Sequence, residues 1–157
     1  MSDAYKILTE IPSLVVDRLR ADSFFSDVPI IAEDVGADFN QFIEDRIEIE
    51  IGKIGLAAIV APVSANASLE NAAGIYYERI PVIVRWVELP AVNRSATGRG
   101  LLAPWCVVRT NMLLNNYLLP GLSNIFVDDP PWVRVPDPER IIYDCNHWTH
   151  GGAVETP

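Results

Sequence analysis

The sequence YYERIPVIVRWVELPAVNR, residues 76–94, predicts one long β-strand that runs into the polar loop SATGRG at residues 95–100. The alternate residues that should point into the core are Ile80, Val82, Val84 and Trp86. The opposite face carries Tyr77, Arg79, Ile83, Arg85 and Val87. From Tyr76 to Leu89 such a strand would span roughly 45 Å, at about 3.3 Å per residue. A strand of this length needs partners on both sides, which favours a protein that assembles with copies of itself.

The length and the apolar content of the chain favour one domain with a subunit interface. The chain has 157 residues, 50% of them apolar, and its mean hydropathy is +0.18. Apolar surface that a small domain cannot bury usually lies between subunits. No apolar run approaches the about 20 residues that span a bilayer. The N-terminal sequence MSDAYKILTEIPSLVVDRL has no basic start and no uninterrupted apolar segment, so we expect no signal peptide.

The charge of the chain argues against one class of partner. Twelve Lys and Arg residues against 21 Asp and Glu residues give a formal net charge of −9. Proteins that bind nucleic acid without sequence preference gain most of their affinity from basic side chains on phosphates. We therefore expect no direct nucleic-acid binding, although an acidic wall can lie beside a passing polyanion. The two cysteines, Cys106 and Cys145, do not form a disulfide framework and favour a reducing compartment.

The rest of the chain predicts helices and shorter strands around the long strand. We expect helices over residues 10–21, 38–53 and 101–119, and strands over residues 28–32, 55–62, 124–127 and 140–147. Thr9 would cap the first helix, with Pro12 in its first turn and residues 1–9 as a loose or helical arm. Gly55 would take the left-handed position after the second helix. Residues 63–73 are expected to form a polar loop.

These elements predict an α+β fold. We expect a single domain over residues 1–157, with a mixed, mostly antiparallel sheet of about four to five strands and two to three helices packed on it. The strand over 28–32 should lie at an edge because Pro29 lacks a donor, and the strand over 55–62 should be central. The helix over 101–119 is apolar nearly all round and should be buried. Residues 128–138, DDPPWVRVPDP, predict a stiff projecting arm with Trp132 as an anchor.

One Cys/His cluster is the alternative to a structural role. Cys145 and His147 would share a face of a strand, and His150 would follow in the next loop, so the three could bind a metal ion in a small enzyme. No second pair of ligands such as CxxC or HxxxH accompanies them. Cys106 lies in an apolar run, where a thiol is usually inert packing with a raised pKa.

Two further motifs are weaker. The acidic residues that could supply paired carboxylates are Asp34, Asp38, Glu44, Asp45, Asp128 and Asp129, and they would work only if they converged in a cleft. The segment Gly98-Arg99-Gly100 lacks the third glycine, or the Lys-Ser/Thr, of a phosphate-binding loop. We therefore predict no catalytic residue, no cofactor, no metal and no enzymatic activity.

Surface contacts are the remaining candidates for function. The candidate residues for contact with another subunit or a partner are Arg79, Arg85, Asn93, Arg94, Arg99, Trp132 and Arg134. Among them we favour the loop over residues 93–100, because Arg94 and Arg99 flank it and can meet an acidic surface. A further hypothesis is an adaptor that binds its partner through Trp132 and the proline-rich segment.

Three segments of the chain stand out together. The first is the opening helix that leads to DVPII at Asp27–Ile31. The second is the capped helix that ends in KIGLAAIVAPVSA, and the third is PVIVRWVELPAVNRSATGRG before the apolar helix. In these segments, and in the order of its elements up to about residue 145, the chain resembles the tail terminator and tail completion proteins of tailed bacteriophages. The proline-rich arm is not required by the family pattern.

The resemblance implies a structural virion protein that forms a homo-oligomeric ring, commonly a hexamer, at the end of a tail tube. The implied partners are copies of the chain, the tail tube protein and, in the tail or neck, sheath and head–tail connector proteins. DNA would pass through the lumen without specific binding, and acidic walls suit that passage. Assembly would take place in the cytoplasm of the bacterial host. The family offers no catalytic residues to carry over.

Overall fold

The computed structural model describes the backbone of residues 3–32, 48, 51–61, 69–71, 74–96 and 98–154. Most of the predicted helix over 38–53 lies outside the described residues, as does most of the predicted loop over 63–73. Residues 51–54 are helical, and Gly55 follows them with a φ of +77°, which is the predicted left-handed position. No helix among the described residues is long and apolar enough to cross a membrane.

The described strands form one mixed, mostly antiparallel sheet, as predicted. The strands are β1 (Ile30–Ala32), β2 (Leu56–Val60), β3 (Leu69–Asn71), β4 (Gly74–Glu88), β5 (Phe126–Val135) and β6 (Ile141–Val154). Their order across the sheet is β1-β2-β4-β6-β5, and β3 pairs with the start of β4. Only β1 and β2 are parallel among the described pairs. The predicted positions of β1 at an edge and of β2 inside the sheet are confirmed, whereas β3 occupies part of the predicted loop.

The helices with described bounds are α1 (Asp3–Arg20), a short 3-10 helix (Ser23–Phe25), α2 (Pro90–Asn93) and α3 (Ala103–Leu114). The two longest described helices, α1 and α3, lie on one face of the sheet, whereas the helical residue Ile51 packs on the other face. The predicted cap at Thr9 is wrong, because α1 begins at Asp3 and Pro12 lies inside it. The described residues before Thr9 are also helical, so Pro12 lies in the helix interior and not in the first turn. Because proline has no N–H group, one backbone hydrogen bond of the helix is missing there.

The long strand is confirmed, and it organises the core. Strand β4 has 15 residues and pairs with β6 along almost its whole length. Its predicted core residues Ile80, Val82, Val84 and Trp86 are all at most 1% exposed. Tyr77 was expected on the opposite face but is buried in the same core. A bulge explains this: β4 advances three residues from Tyr77 to Ile80 while β6 spans two from Gly151 to Thr149, which reverses the alternation.

Helices α1 and α3 cover the core face of the sheet. The helix residues in this core are Ile11, Val15, Val16 and Leu19 from α1 and Ala103, Cys106, Val107 and Leu114 from α3. Phe25 stacks on Trp86 with ring centroids 4.9 Å apart, and the Trp86 indole donates to Thr110 Oγ1 at 2.9 Å. A second, smaller cluster on the opposite face contains Ile51, Ala57, Ile59, Val87 and Ile142.

The prediction of a buried helix over 101–119 differs from the structure in two respects. Helix α3 ends at Leu114, where Asn115 leaves helical geometry and Asn116 takes a φ of +62°. Moreover, only one side of α3 faces the sheet. Trp105, Val108 and Met112 are 55%, 52% and 63% exposed, so an apolar stripe faces outward.

The prediction of a projecting arm over 128–138 is also wrong. Residues 126–135 form edge strand β5, and Trp132 and Arg134 lie opposite Cys145 and Tyr143 of β6. The register shifts between Val127 and Trp132, so residues 128–131 make no regular pairs with β6. Prolines are tolerated there because a proline cannot donate a backbone hydrogen bond to a neighbouring strand. The following turn is fixed by Asp137, whose carboxylate accepts from the backbone amide and the guanidinium of Arg140.

Candidate subunit and partner interfaces

The loop after β4 is built around one buried carboxylate, Glu88. Its Oε1 atom accepts hydrogen bonds from Asn93 Nδ2 at 3.1 Å and from Arg94 Nε at 3.0 Å. Its Oε2 atom accepts from the backbone amide of Ala103, the first residue of α3, at 3.0 Å. One carboxylate therefore ties the end of β4, the loop and the start of α3 together. Because the Ala103 amide at the start of α3 already donates to Glu88, it is not available to an anion beside Gly98-Arg99-Gly100.

Asn93 is part of that framework. Its side chain also donates to the Leu101 carbonyl at 3.0 Å and accepts from the Gly100 amide at 3.1 Å. Gly98 lies so close that a Cβ atom there would sit 2.2 Å from the Val92 carbonyl oxygen. The predicted role of Asn93 in an interface stays a prediction, and its side chain is 0% exposed in the single subunit. Asn93 acts inside the subunit and shapes the loop.

Arg94 and Arg99 are the surface residues of this loop. The side chain of Arg94 is 50% exposed while it pairs with the buried Glu88. Arg99 is exposed and donates from Nε to the Ser26 carbonyl at 3.2 Å. Among the described residues no carboxylate pairs with Arg99. The contact with another subunit through these two arginines stays a prediction.

Arg79 and Arg85 lie on the face of β4 away from the helices, and both have partners within the sheet. Arg85 makes a two-pronged ion pair with Asp144 on β6, at 2.7 and 2.8 Å. Arg79 pairs with Asp128 at 2.6 Å and lies 4.9 Å from the centre of the Trp148 ring. The hydrogen bond from Arg79 is the main reason that the pKa of Asp128 lies below its usual range. These arginines brace the β4–β6–β5 sheet.

Trp132 and Arg134 lie on the edge strand β5. The side chain of Trp132 is 44% exposed, and its neighbour Val133 is 45% exposed. Arg134 is exposed, and its guanidinium lies 5.9 Å from the centre of the Tyr143 ring. The predicted interface residues therefore occupy three separate places: the loop after β4, the open face of the sheet and the β5 edge.

An apolar groove on the helical side was missed by the sequence analysis. It has a volume of about 330 Å³ and is lined by Phe24, Trp105, Val108, Arg109 and Met112. The sequence of the helix is apolar on nearly every side, and Asn111, Asn115 and Asn116 predicted its wetter side; the exposure of Trp105, Val108 and Met112 was not predicted. The signal in the sequence was the spacing of the apolar residues 105, 108 and 112, because residues at this spacing lie along one stripe of a helix.

The groove is fixed in shape by Asp22. Its Oδ1 atom accepts from the Phe24 amide at 2.9 Å, and its Oδ2 atom accepts from Arg109 Nη2 at 2.5 Å. Arg109 in turn lies 5.8 Å from the centre of the Phe24 ring. The pKa of Asp22 is lowered, chiefly by the hydrogen bond from Arg109. Both walls of the groove are thus held by one carboxylate.

The Cys/His alternative does not form a site. Cys145 and His147 face the core from β6, whereas His150 lies near the Phe126 ring on the other side, with the centroids 6.1 Å apart. Within the described part of the chain, no three His, Cys, Asp or Glu residues are placed to hold a metal ion. Burial raises the pKa values of the Cys106 and Cys145 thiols, as expected for inert packing.

The acidic candidates do not form a described pair of carboxylates either. Asp128 is engaged by Arg79, and Asp129 is exposed. Asp34, Asp38, Glu44 and Asp45 lie outside the described residues.

Comparison with known proteins gives a similarity that concerns the fold. No protein-family model matches the chain, and no curated protein matches it in sequence. Among solved structures, the chain is similar to one chain in the virion of a native gene transfer agent (GTA) particle. The TM-score is 0.55 at 13% sequence identity, and the similarity covers 88% of this chain and 92% of that chain. The protein therefore shares its α+β fold, over nearly the full length, with a component of a virion.

Proposed function

We propose that this protein is a structural component of a phage-like virion, which forms a ring at the end of a tail tube. In this role it is a tail terminator or neck protein that joins the tail to the head. It has no enzymatic activity. Its partners are copies of itself, in a ring that we expect to be a hexamer, the tail tube protein, and sheath or connector proteins at the neck.

The observation that carries this proposal is the similarity in fold to the gene transfer agent virion chain. It extends over 88% of this chain and 92% of the other, so it relates two complete architectures rather than a shared fragment. The sequence resemblance to tail terminator proteins supports the same role from the order of elements and the segments around β1, β2 and β4.

The surface of the protein supports a structural role. Among the described residues, the large exposed apolar side chains are Trp105, Val108, Met112, Leu118, Trp132 and Val133. Trp105, Val108 and Met112 line one groove together, and contiguous apolar surface of this kind marks contact sites on proteins. The net charge of −9 also suits a ring through which DNA passes, because acidic walls do not retain a polyanion.

Electron microscopy of the purified protein tests the proposal, together with sedimentation alongside tail tubes from the particle that encodes it. We expect rings with a central hole and co-sedimentation with the tubes. A protein that stays monomeric at high concentration and does not bind the tubes would contradict the proposal. Asn115→Ala, at an exposed position beyond α3, is a matched control that should assemble as the wild type does.

A further inference from the structure

Arg99 is an exposed arginine that forms no ion pair with any described residue of its own subunit. Its guanidinium makes one described hydrogen bond, from Nε to the Ser26 carbonyl at 3.2 Å. We propose that Arg99 of one copy pairs with Glu139 of the next copy around the ring. This inference rests on the proposed ring, for which it names one pair of contacting residues.

The loop after β4 holds Arg99 in place. The Arg99 amide donates to the Ile54 carbonyl at 3.4 Å, and the Gly100 amide donates to the Asn93 carbonyl at 2.9 Å. Because the Ser26 carbonyl accepts from Nε, the edge of the guanidinium that carries both terminal nitrogens is available to a partner. Two N–H groups on one edge match the two oxygens of a carboxylate. Docking of an acid would therefore need little further ordering of Arg99.

The charges around Arg99 favour an acidic partner. The other charged residues of this loop, and those next to the residues that it contacts, are Arg94, Lys53, Glu88 and Asp27. Glu88 is buried and already pairs with Arg94. Asp27 is exposed but makes no ion pair with Arg99. With Arg99 included, cations outnumber anions here, although the whole chain carries −9.

Glu139 is an exposed acid on a structured turn. Its backbone amide donates to Asp137 Oδ1 at 3.0 Å, and the Arg140 guanidinium donates to Asp137 Oδ2 at 2.9 Å. Arg140 is therefore occupied by Asp137. The carboxylate of Glu139 forms no ion pair with any residue in the described part of the chain. The turn thus presents an acid that lacks a cation, as the loop presents a cation that lacks an acid.

A pocket beside Glu139 suits an arginine side chain. Its volume of about 440 Å³ lies within the range of pockets that enclose small ligands, about 300–1,000 Å³. Ile51 and Leu89 line it, and the aliphatic part of an arginine can lie along them while its guanidinium meets a carboxylate. Apart from the paired turn residues, the charged residues that line it are Glu48 and Glu139, so its remaining charge is negative.

The positions of the two residues favour contact between neighbouring copies. Glu88, next to the loop, pairs with Leu56 at the start of β2 and with Ile141 at the start of β6. Arg99 and Glu139 therefore lie at the same end of the sheet. Arg99 contacts the segment before β1, however, whereas Glu139 follows β5 at the opposite margin. Each copy can use one of these surfaces on each neighbour, which is the arrangement that closes a ring.

Exchange of the two charges tests the pair. Arg99→Glu and Glu139→Arg should each weaken self-association on the order of tenfold, because each places like charges opposite one another. Sedimentation velocity over a concentration series at low salt measures this. The double variant should regain the wild-type association. An equimolar mixture of the two single variants should regain it too, because alternating copies then place opposite charges at every junction.

A matched control separates the pair from the total charge. Arg99→Gln and Asn115→Asp each change the formal net charge from −9 to −10. Arg99→Gln should weaken self-association, whereas Asn115→Asp, at an exposed position beyond α3, should associate as the wild type does. Circular dichroism checks the fold of each variant. If a charge reversal disturbs folding, Arg99→Gln and Glu139→Gln replace the reversals, and each should weaken self-association.

Four results would overturn the inference. The first is self-association of both single variants at the wild-type level. The second is recovery in the double variant but not in the mixture, which would show that the two residues act within one copy. The third is loss of tail-tube binding in Arg99→Gln without a change in self-association, which would assign the acid to the tube protein. The fourth is wild-type binding to double-stranded DNA that Arg99→Gln abolishes, which would assign Arg99 to phosphate.

The same experiment separates this inference from the proposed function. Rings seen by microscopy in both single variants would show that the ring forms without this ion pair. A wild-type protein that neither self-associates nor binds tail tubes would contradict the proposed function and the ion pair together.

Discussion

At the residue scale, the loop after β4 depends on the amide side chain of Asn93. Replacement by Ala removes the side-chain bonds to Glu88, Gly100 and Leu101, so the part-buried Leu101 carbonyl loses its donor and the buried Glu88 carboxylate keeps only Arg94 and Ala103. We expect Asn93→Ala to lower the free energy of unfolding by about 2–3 kcal/mol, as for other losses of buried hydrogen bonds. Urea denaturation measures this. Asn115→Ala should change it by less than about 0.5 kcal/mol, as an exposed position allows.

His147 gives the protein a predictable dependence on pH. Burial lowers the pKa of His147 from 6.5 to about 4. The backbone groups of Val82 and Cys145 and the charge of Asp128 raise this pKa, but their effect is smaller than that of burial. Neither ring nitrogen makes a well-aligned hydrogen bond. The unfolded chain binds the proton more readily than the folded one. The contribution of neutral His147 to the free energy of unfolding is therefore complete above about pH 6.5 and is lost as the pH falls toward 4.

The magnitude follows from the size of the shift. At about 1.4 kcal/mol per pKa unit, the loss between pH 6.5 and pH 4 is on the order of 3 kcal/mol. Urea denaturation at a series of pH values measures it. His147→Gln should flatten the profile in this window, whereas His150→Gln should leave the slope in place. An unchanged slope in His147→Gln would show that other groups cause the acid sensitivity.

At the element scale, the sequence predicted best where one strand alternates against one core. The buried residues of β4 from Ile80 to Trp86 follow from period-two spacing alone. The bulge before Ile80 could not be predicted, because it is defined by the register with β6, whose partner residues are about 70 positions away. The prolines of residues 128–138 predicted a projecting arm, but an edge strand with a register shift also accepts them.

Alanine substitutions at two neighbouring residues of α3 test which side of the helix faces the sheet. Val107 and Val108 are neighbours in sequence, but they are 2% and 52% exposed. Val107→Ala should lower the free energy of unfolding by about 1–3 kcal/mol, because it leaves a cavity against the sheet. Val108→Ala should change it by less than about 0.5 kcal/mol. Equal effects of the two changes in the monomer would contradict the orientation of this helix.

At the scale of the whole molecule, the candidate interface could be predicted only in part. The sequence predicted apolar surface for a subunit interface and an anchor at Trp132, and the structure places Trp132 and the groove residues Trp105, Val108 and Met112 on the surface. The sequence could not show that Arg79 and Arg85 are engaged by Asp128 and Asp144, because those partners lie 49 and 59 residues away. For the same reason the sequence did not show the apolar groove between Phe24 and helix α3, whose walls come from two separate segments.

The proposed function requires this chain to close into a ring with copies of itself. Native mass spectrometry of the purified protein at high concentration measures this. We expect one dominant closed oligomer of six copies, and we expect Trp132→Ala and Val108→Asp, which change exposed apolar side chains, each to reduce it to small species while the fold is retained. A wild-type protein that remains a monomer throughout, or that forms only two-fold dimers, would contradict it.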